Sequence, residues 1–86
     1  MISIELFGVP RLRAGTGRVD LEAATIGDAL RHLARACPAL DGTVVRGGRL
    51  HEAYRLSLNG ERFVSDPETT LAEGDALWLL AADAGG

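Results

Sequence analysis

The stretch TIGDALRHLARACP, residues 25–38, decides the fold class, because it carries the strongest helix pattern in the sequence. Thr25 stands three residues before Asp28, which is a capping-box-like start. Pro38 is a stop signal. The apolar residues between them recur at spacings of three and four, as in one buried helix stripe: Ile26, Ala29, Leu30, Leu33, Ala34 and Cys37. We predict one amphipathic helix here.

Alternating apolar and polar residues before this helix predict two strands. MISIELF, residues 1–7, places Ile2, Ile4 and Leu6 on one face. A loop or short helical turn follows, and RVDLEA, residues 18–23, resumes the alternation. We expect these two strands to pair as a hairpin.

The chain after the helix predicts a second hairpin and a last strand. Residues 38–53 are rich in glycine and charge and predict a loop with a short extended piece. YRLSLNGERFV, residues 54–64, contains Asn59-Gly60, the residue pair of a tight hairpin turn. Leu71 is expected to pack into the core, and ALWLLAA, residues 76–82, is the last strand.

The resulting order, β-β-α-β-β-β, has one helix for a whole sheet, so one sheet face stays uncovered. This arrangement is the β-grasp, an α+β fold with a mixed sheet of four to five strands and the last strand beside the first. A ferredoxin-like sandwich is the rival, and it needs a second helix. We expect a single domain over residues 1–80 and a flexible tail over residues 81–86.

Composition narrows the class of protein. The chain has 86 residues and a net charge of −3, with no apolar run long enough for a bilayer and no basic leader. We therefore expect a cytoplasmic protein without a membrane partner. Nucleic acid is not expected either, because phosphate binding needs a positive surplus. All basic residues are arginine, so the Met1 α-amine is the only amine.

The residues that often bind metals or form disulfides are few. Cys37 is the one cysteine, and with the scattered His32 and His51 it provides too few ligands for a metal site. We interpret Cys37 as a small apolar residue on a helix face rather than as a reactive thiol.

Apolar residues on the uncovered sheet face predict an interface. In the last strand, Leu77 and Leu79 suit the core, because a buried tryptophan needs a partner for its indole N–H. Trp78 and Leu80 then lie outside, beside Phe7 if the first and last strands are neighbours. We call Phe7, Trp78 and Leu80 the apolar surface. Two alternatives are that Trp78 packs under the loop 38–53 and that Phe7 is buried at a strand end.

The chain ends with LLAADAGG, residues 79–86. Six residues after Leu80 reach up to about 20 Å at roughly 3.3 Å each. Glycine has no Cβ, so a Gly-Gly terminus can thread a slot too narrow for other residues. Such an end suits a domain whose own terminal carboxylate reacts in the active sites of other proteins.

With these features the sequence resembles the ubiquitin-like sulfur carriers of the MoaD/ThiS family, over the whole chain. The resemblance is carried by LNGERF at 58–63, LAEGDALWLL at 71–80 and the terminal AGG at 84–86. RLHEAYRLSLNGERF, at 49–63, is similar to the CysO type. Many small subunits of molybdopterin synthase carry two prolines where this chain has Ala81-Ala82, which leaves the pathway open.

The resemblance implies that an E1-like enzyme of the MoeB/ThiF type, using ATP and Mg²⁺, adenylates the Gly86 carboxylate. A sulfur donor then leaves a thiocarboxylate there, and Gly85 provides clearance. The acceptor is implied to be the molybdopterin synthase large subunit, a cysteine synthase or a similar enzyme. The carrier is implied to be a monomer when free, with no catalysis or bound cofactor of its own. The implied partner-binding residues are Phe7, Trp78, Leu80, Ala81, Ala82, Asp83 and Ala84.

Two other functions would use the same Gly86 carboxylate. One is a ubiquitin-like modifier that becomes attached to target lysines. The other is the permanent small subunit of molybdopterin synthase. An inert β-grasp interaction domain is the remaining alternative.

Overall fold

The computed structural model describes residues 1–83. The predicted roles of Ala84, Gly85 and Gly86 therefore lie outside the described residues. The elements in chain order are β1 (Ile2–Leu6), α1 (Val9–Ala14), β2 (Arg18–Leu21), α2 (Ile26–Ala36), β3 (Val45–Arg46), β4 (Arg49–Leu50), β5 (Tyr54–Leu58), β6 (Arg62–Val64) and β7 (Ala76–Ala81), with a 3-10 turn at Pro38–Leu40.

The main sheet has five strands in the order β2-β1-β7-β5-β6. β1 and β7 are parallel, and the other pairs are antiparallel. The last strand thus lies beside the first, and α2 covers one face of the sheet. This is the predicted β-grasp fold, and the helix and both hairpins are confirmed.

Helix α2 begins and ends as its sequence predicts. The Thr25 hydroxyl accepts a hydrogen bond from the Asp28 backbone N–H at 3.2 Å. The stripe of α2 packs against strand residues of alternating register, which removes apolar side chains of both layers from water. The core residues with the lowest exposure are Ile4, Leu6, Ile26, Ala29, Leu30, Leu33, Leu40, Val44, Val45, Leu56, Leu77 and Leu79.

Two connecting segments contain regular structure: the loop or short helical turn predicted after the first strand is a helix, and the loop predicted over residues 38–53, with a short extended piece, contains two short strands. Residues 9–14 form the short helix α1, whose buried Pro10 sits in its first turn and whose C-cap Gly15 has the left-handed φ of 74°. The predicted loop 38–53 contains the two-stranded β3–β4 hairpin. Neither α1 nor α2, the helices of residues 1–83, has the length and apolar character needed to cross a membrane.

Asp75 links the hairpin turn to the start of β7. Its carboxylate accepts hydrogen bonds from the Ala72 backbone N–H at 2.8 Å and from Asn59 Nδ2 at 3.1 Å. The Asn59 side-chain oxygen Oδ1 in turn accepts a hydrogen bond from the Ala76 backbone N–H at 2.8 Å. The backbone and Asn59 hydrogen bonds lower the pKa of Asp75 below its ordinary value of 3.8.

This lowered pKa predicts a pH dependence of folding. A carboxyl whose pKa is lower in the folded state contributes stability above its unfolded pKa, and the contribution is lost as pH falls through the folded pKa. We expect the unfolding free energy of an Asp75→Asn variant to fall less between about pH 5 and about pH 2 than that of the unchanged chain. Urea unfolding at several pH values measures this, and parallel curves would contradict it.

Candidate functional site

The apolar surface is formed where β1 and β7 lie side by side. Leu6 faces Leu79 in register, and both are buried. Phe7 and Leu80, one residue farther on, therefore turn to the opposite face. The Phe7 and Trp78 rings meet edge to face with centroids 6.2 Å apart, and they are 37% and 39% exposed. Phe7 is thus not buried at the strand end.

Trp78 lies at the centre of the uncovered face. β7 pairs with β1 on one side and β5 on the other, which places Trp78 between Glu5 and Ser57. Its six-membered ring lies beside the β5–β6 turn, because a Cβ at Gly60 would stand 3.2 Å from the Trp78 Cη2 atom. The alternative that Trp78 packs under the loop 38–53 is therefore wrong.

Gly60 allows Trp78 to take this position for two reasons. A methyl group added at Gly60 should therefore lower the unfolding free energy. The Gly60 φ is 68°, a value that disfavours other residues, and an added Cβ would crowd the indole. We expect Gly60→Ala to lower the unfolding free energy by about 1 to 2 kcal/mol and to shift the fluorescence of Trp78. Urea unfolding and emission spectra measure both effects. Gly47→Ala, also at positive φ but with open space around its Cβ, is the control that leaves the emission unchanged.

The uncovered face also holds a pair that the sequence did not reveal. Phe63 faces Ser57 in register and is 49% exposed. The Arg55 guanidinium lies over the Phe63 ring, 5.3 Å from its centroid, as a cation–π contact. Arg62, by contrast, faces the buried Leu58 in register and so belongs to the helix side of the sheet. The hairpin register could have shown this, since neighbouring residues alternate faces.

The polar residues of this face are not all solvated. Glu5 is half-buried, and Ser3 and Ser57 are buried, although strand alternation places all three on the uncovered face. They lie on central strands, where neighbours cover small side chains. The aromatic side chains are therefore more exposed on this face than the small polar side chains between them.

The tail leaves the sheet beside β5. The last strand, predicted over residues 76–82, ends at Ala81, which is paired with Tyr54, and the Ala82 N–H donates to the Ala53 carbonyl oxygen at 2.7 Å. β5 thus offers hydrogen-bonding partners to the first two residues of the segment expected to form the tail. Asp83 is exposed. The four residues from Asp83 span at most about 13 Å.

Cys37 behaves as a packed residue. It closes the C-terminal end of α2, it is 7% exposed, and burial raises the pKa of its thiol. A raised pKa keeps the thiol protonated and so less nucleophilic. Among residues 1–83, no three His, Cys, Asp or Glu side chains are grouped so that they could hold a metal ion.

Several solved structures are similar to this chain over nearly its whole length. No protein-family model matches the sequence, and the comparison with curated proteins gives no match. SAMP1 from Haloferax volcanii is 32% identical, with a TM-score of 0.82 over 99% of this chain and 98% of that chain. The Amycolatopsis orientalis BexX/CysO complex is 21% identical, with a TM-score of 0.81 over 100% of both chains.

A third similar structure is a complex of subunits 1 and 2 of the molybdopterin-converting factor from Helicobacter pylori 26695. It is 19% identical, with a TM-score of 0.65 over 99% of this chain and 97% of that chain. At identities of 21% and 19%, the likeness to this structure and to the BexX/CysO complex is one of fold.

Proposed function

We propose, since this chain belongs to the ubiquitin-like MoaD/ThiS/CysO family of sulfur carriers and modifiers, that it carries sulfur as a thiocarboxylate at Gly86. The observation that carries the proposal is the placement of Phe7 and Trp78 on an uncovered sheet face, on and beside the strand that leads into the tail. A partner docked there is within reach of the terminal carboxylate. The carrier then supplies recognition and a reacting group, and its partner enzymes supply catalysis.

The proposed chemistry begins with activation of a poor electrophile. In the active site of an E1-like enzyme with ATP and Mg²⁺, a Gly86 carboxylate oxygen attacks the α-phosphorus and pyrophosphate leaves. The product is an acyl-adenylate, in which the carbonyl carbon is no longer shielded by a negative charge. Hydrosulfide attacks that carbon, the bond to the AMP oxygen breaks so that AMP leaves, and the thioacid formed loses its proton to give the thiocarboxylate.

The sequence of the tail supports this use of the terminus. The four residues Asp83 to Gly86 offer no large side chain, and a Gly-Gly end passes through a narrow channel. The hydrogen bond of Ala82 to Ala53 holds the base of the tail beside β5. The four residues after Ala82 span at most about 13 Å, so the activating site must lie within that distance of Ala82.

The experiment that tests the proposal is an intact-mass measurement. The purified chain is incubated with the E1-like enzyme of its host, ATP, Mg²⁺ and a sulfide source. We expect a mass gain equal to the exchange of one oxygen for sulfur, absent without ATP and absent in a chain that lacks Gly86. An unchanged mass in the complete mixture, with an enzyme that activates its own known carrier, would rule out the carrier role.

Protein modification is the second candidate, and the similarity to SAMP1, a small archaeal modifier protein, favours it. The same acyl-adenylate would then be transferred to target amines. This chain has no lysine, so its copies offer one another no ε-amine and cannot form isopeptide-linked chains. We expect peptide mapping of any adducts in the host to find no branch on this chain, so that a second copy on one target lysine could be joined only through the Met1 α-amine. Adducts that persist after Gly86 is deleted would exclude this function.

A permanent enzyme subunit is the third candidate, and the two-subunit Helicobacter pylori complex is the similar structure that favours it. The enzyme that accepts sulfur from this chain would then be a molybdopterin synthase large subunit. Stable co-purification of the chain with one larger protein, at equal stoichiometry, supports this reading. If the chain is purified alone, it is a free carrier, and we expect its acceptor to be a separate enzyme such as a cysteine synthase.

A further inference from the structure

Helix α1, a short helix outside the five-stranded sheet and α2, exposes apolar side chains to water. Pro10 is buried and Ala14 packs against the core, so these two hold α1 on the body of the domain. Val9 and Leu12, three residues apart on the other side, are 47% and 82% exposed. Among residues 1–83, neither Val9 nor Leu12 belongs to the core or packs against it, so their exposed apolar surface is open to a partner.

The position of α1 relates it to the tail. β1 and β7 are parallel, so their C-terminal ends lie at the same end of the sheet. α1 follows β1 directly, and the tail follows β7. The Phe7 N–H donates to the Leu79 carbonyl oxygen, which keeps the start of this segment against β7. α1 therefore stands at the end of the sheet where the tail emerges.

The charge of α1 is opposite to that of the whole chain. α1 carries Arg11 and Arg13 and no acidic residue, whereas the chain has a net charge of −3. Both arginines are exposed, and within residues 1–83 neither forms an ion pair. A partner surface that fits α1 is apolar at its centre and carries carboxylates around it.

We propose that the outer face of α1, formed by Val9, Leu12 and Arg13 with Arg11 beside them, is a second docking element that binds an acidic, apolar surface of the enzyme that activates Gly86. This inference rests on the proposed function for the identity of the partner. α1 follows Phe7 of the apolar surface in the chain and lies at the end of the sheet where β7 leads into the tail. A partner that holds the tail is therefore close to both elements.

Binding of the full-length chain to the E1-like enzyme of its host tests this proposal, without ATP or sulfide, by biolayer interferometry. We expect Leu12→Ser to raise Kd about tenfold, while Leu12→Met, which keeps the apolar volume, restores it. We expect Arg11→Glu with Arg13→Glu to lower the association rate about tenfold at low salt, and the loss to shrink in about 0.5 M NaCl.

The control reverses two exposed arginines elsewhere, Arg49→Glu with Arg62→Glu, and so makes the same change in net charge. Thermal unfolding by circular dichroism shows that each variant is folded. An unchanged Kd for folded Leu12→Ser, or an equal rate loss in the control, overturns the docking role of α1. A weakened Leu12→Ser complex without any thiocarboxylate in the mass test supports α1 docking and removes the carrier function. No binding by the unchanged chain overturns both.

Discussion

Replacement of Gly85 by valine is expected to lower the rate of thiocarboxylate formation at Gly86 at least about 100-fold. The proposed reaction requires the carboxylate to reach the α-phosphorus of ATP through a channel that excludes water. A β-branched side chain at Gly85 adds width to the tail and restricts its backbone angles. Misplacement of the reacting carbon by about 1 Å suffices for a loss of this size. Single-turnover kinetics followed by intact mass measure the rate.

Two variants separate channel width from other effects of this change. Gly85→Ala adds only a Cβ and should give an intermediate rate. Ala84→Val places the same side chain one residue earlier, where a Cβ is already present, and should lose much less activity. Unchanged binding of Gly85→Val to the activating enzyme would show that the loss lies in the chemical step. Equal rates for Gly85→Val and the unchanged chain would show that the tail does not pass through a narrow channel.

Truncation of Trp78 to alanine should weaken binding to the activating enzyme by about 2 to 3 kcal/mol, or roughly 30- to 150-fold in Kd. Tryptophan at the centre of an interface contributes more than most residues, because it buries a large rigid surface. Trp78 stands at the centre of the uncovered face, edge to face with Phe7. Isothermal titration calorimetry of the chain with the enzyme measures the change.

Phe63→Ala is the matched aromatic truncation for this test. Phe63 is 49% exposed on the same face, but it lies two strands from β7, and the Arg55 guanidinium covers its ring. We expect its Kd to change less than fivefold, or about 1 kcal/mol. Losses of equal size in Phe63→Ala and Trp78→Ala would mean that the binding site is the whole sheet face and not the apolar surface.

The sequence predicted the elements whose signals are local. The helix could be predicted because its apolar spacing and Thr25 cap lie within one segment, and the hairpin because Asn59-Gly60 favours positive φ. The placement of Leu77 and Leu79 in the core, with Trp78 outside, follows from strand alternation and the polar N–H of indole. One helix for one sheet then gave the fold class.

Features that depend on how distant segments meet were predicted less well. Ser3 and Ser57 are buried because each lies on an interior strand with a neighbouring strand on both sides, and this cannot be read from their own segments. The β7 boundary depends on Ala53 and Tyr54, residues almost thirty positions away in the chain. α1 has a weak local pattern, since only Pro10 and Ala14 face the core.

By itself, the sequence determined the order of the main helix and the five strands of the sheet, and with it the fold class, since periodicity and turn residues act over a few residues. Tertiary structure alone decided which side chains meet. The Phe7–Trp78 contact, the Arg55–Phe63 pair and the position of α1 beside the tail depend on the parallel pairing of β1 with β7 and on the register of β5. Register is set by burial of the whole core, which is a property of the complete chain.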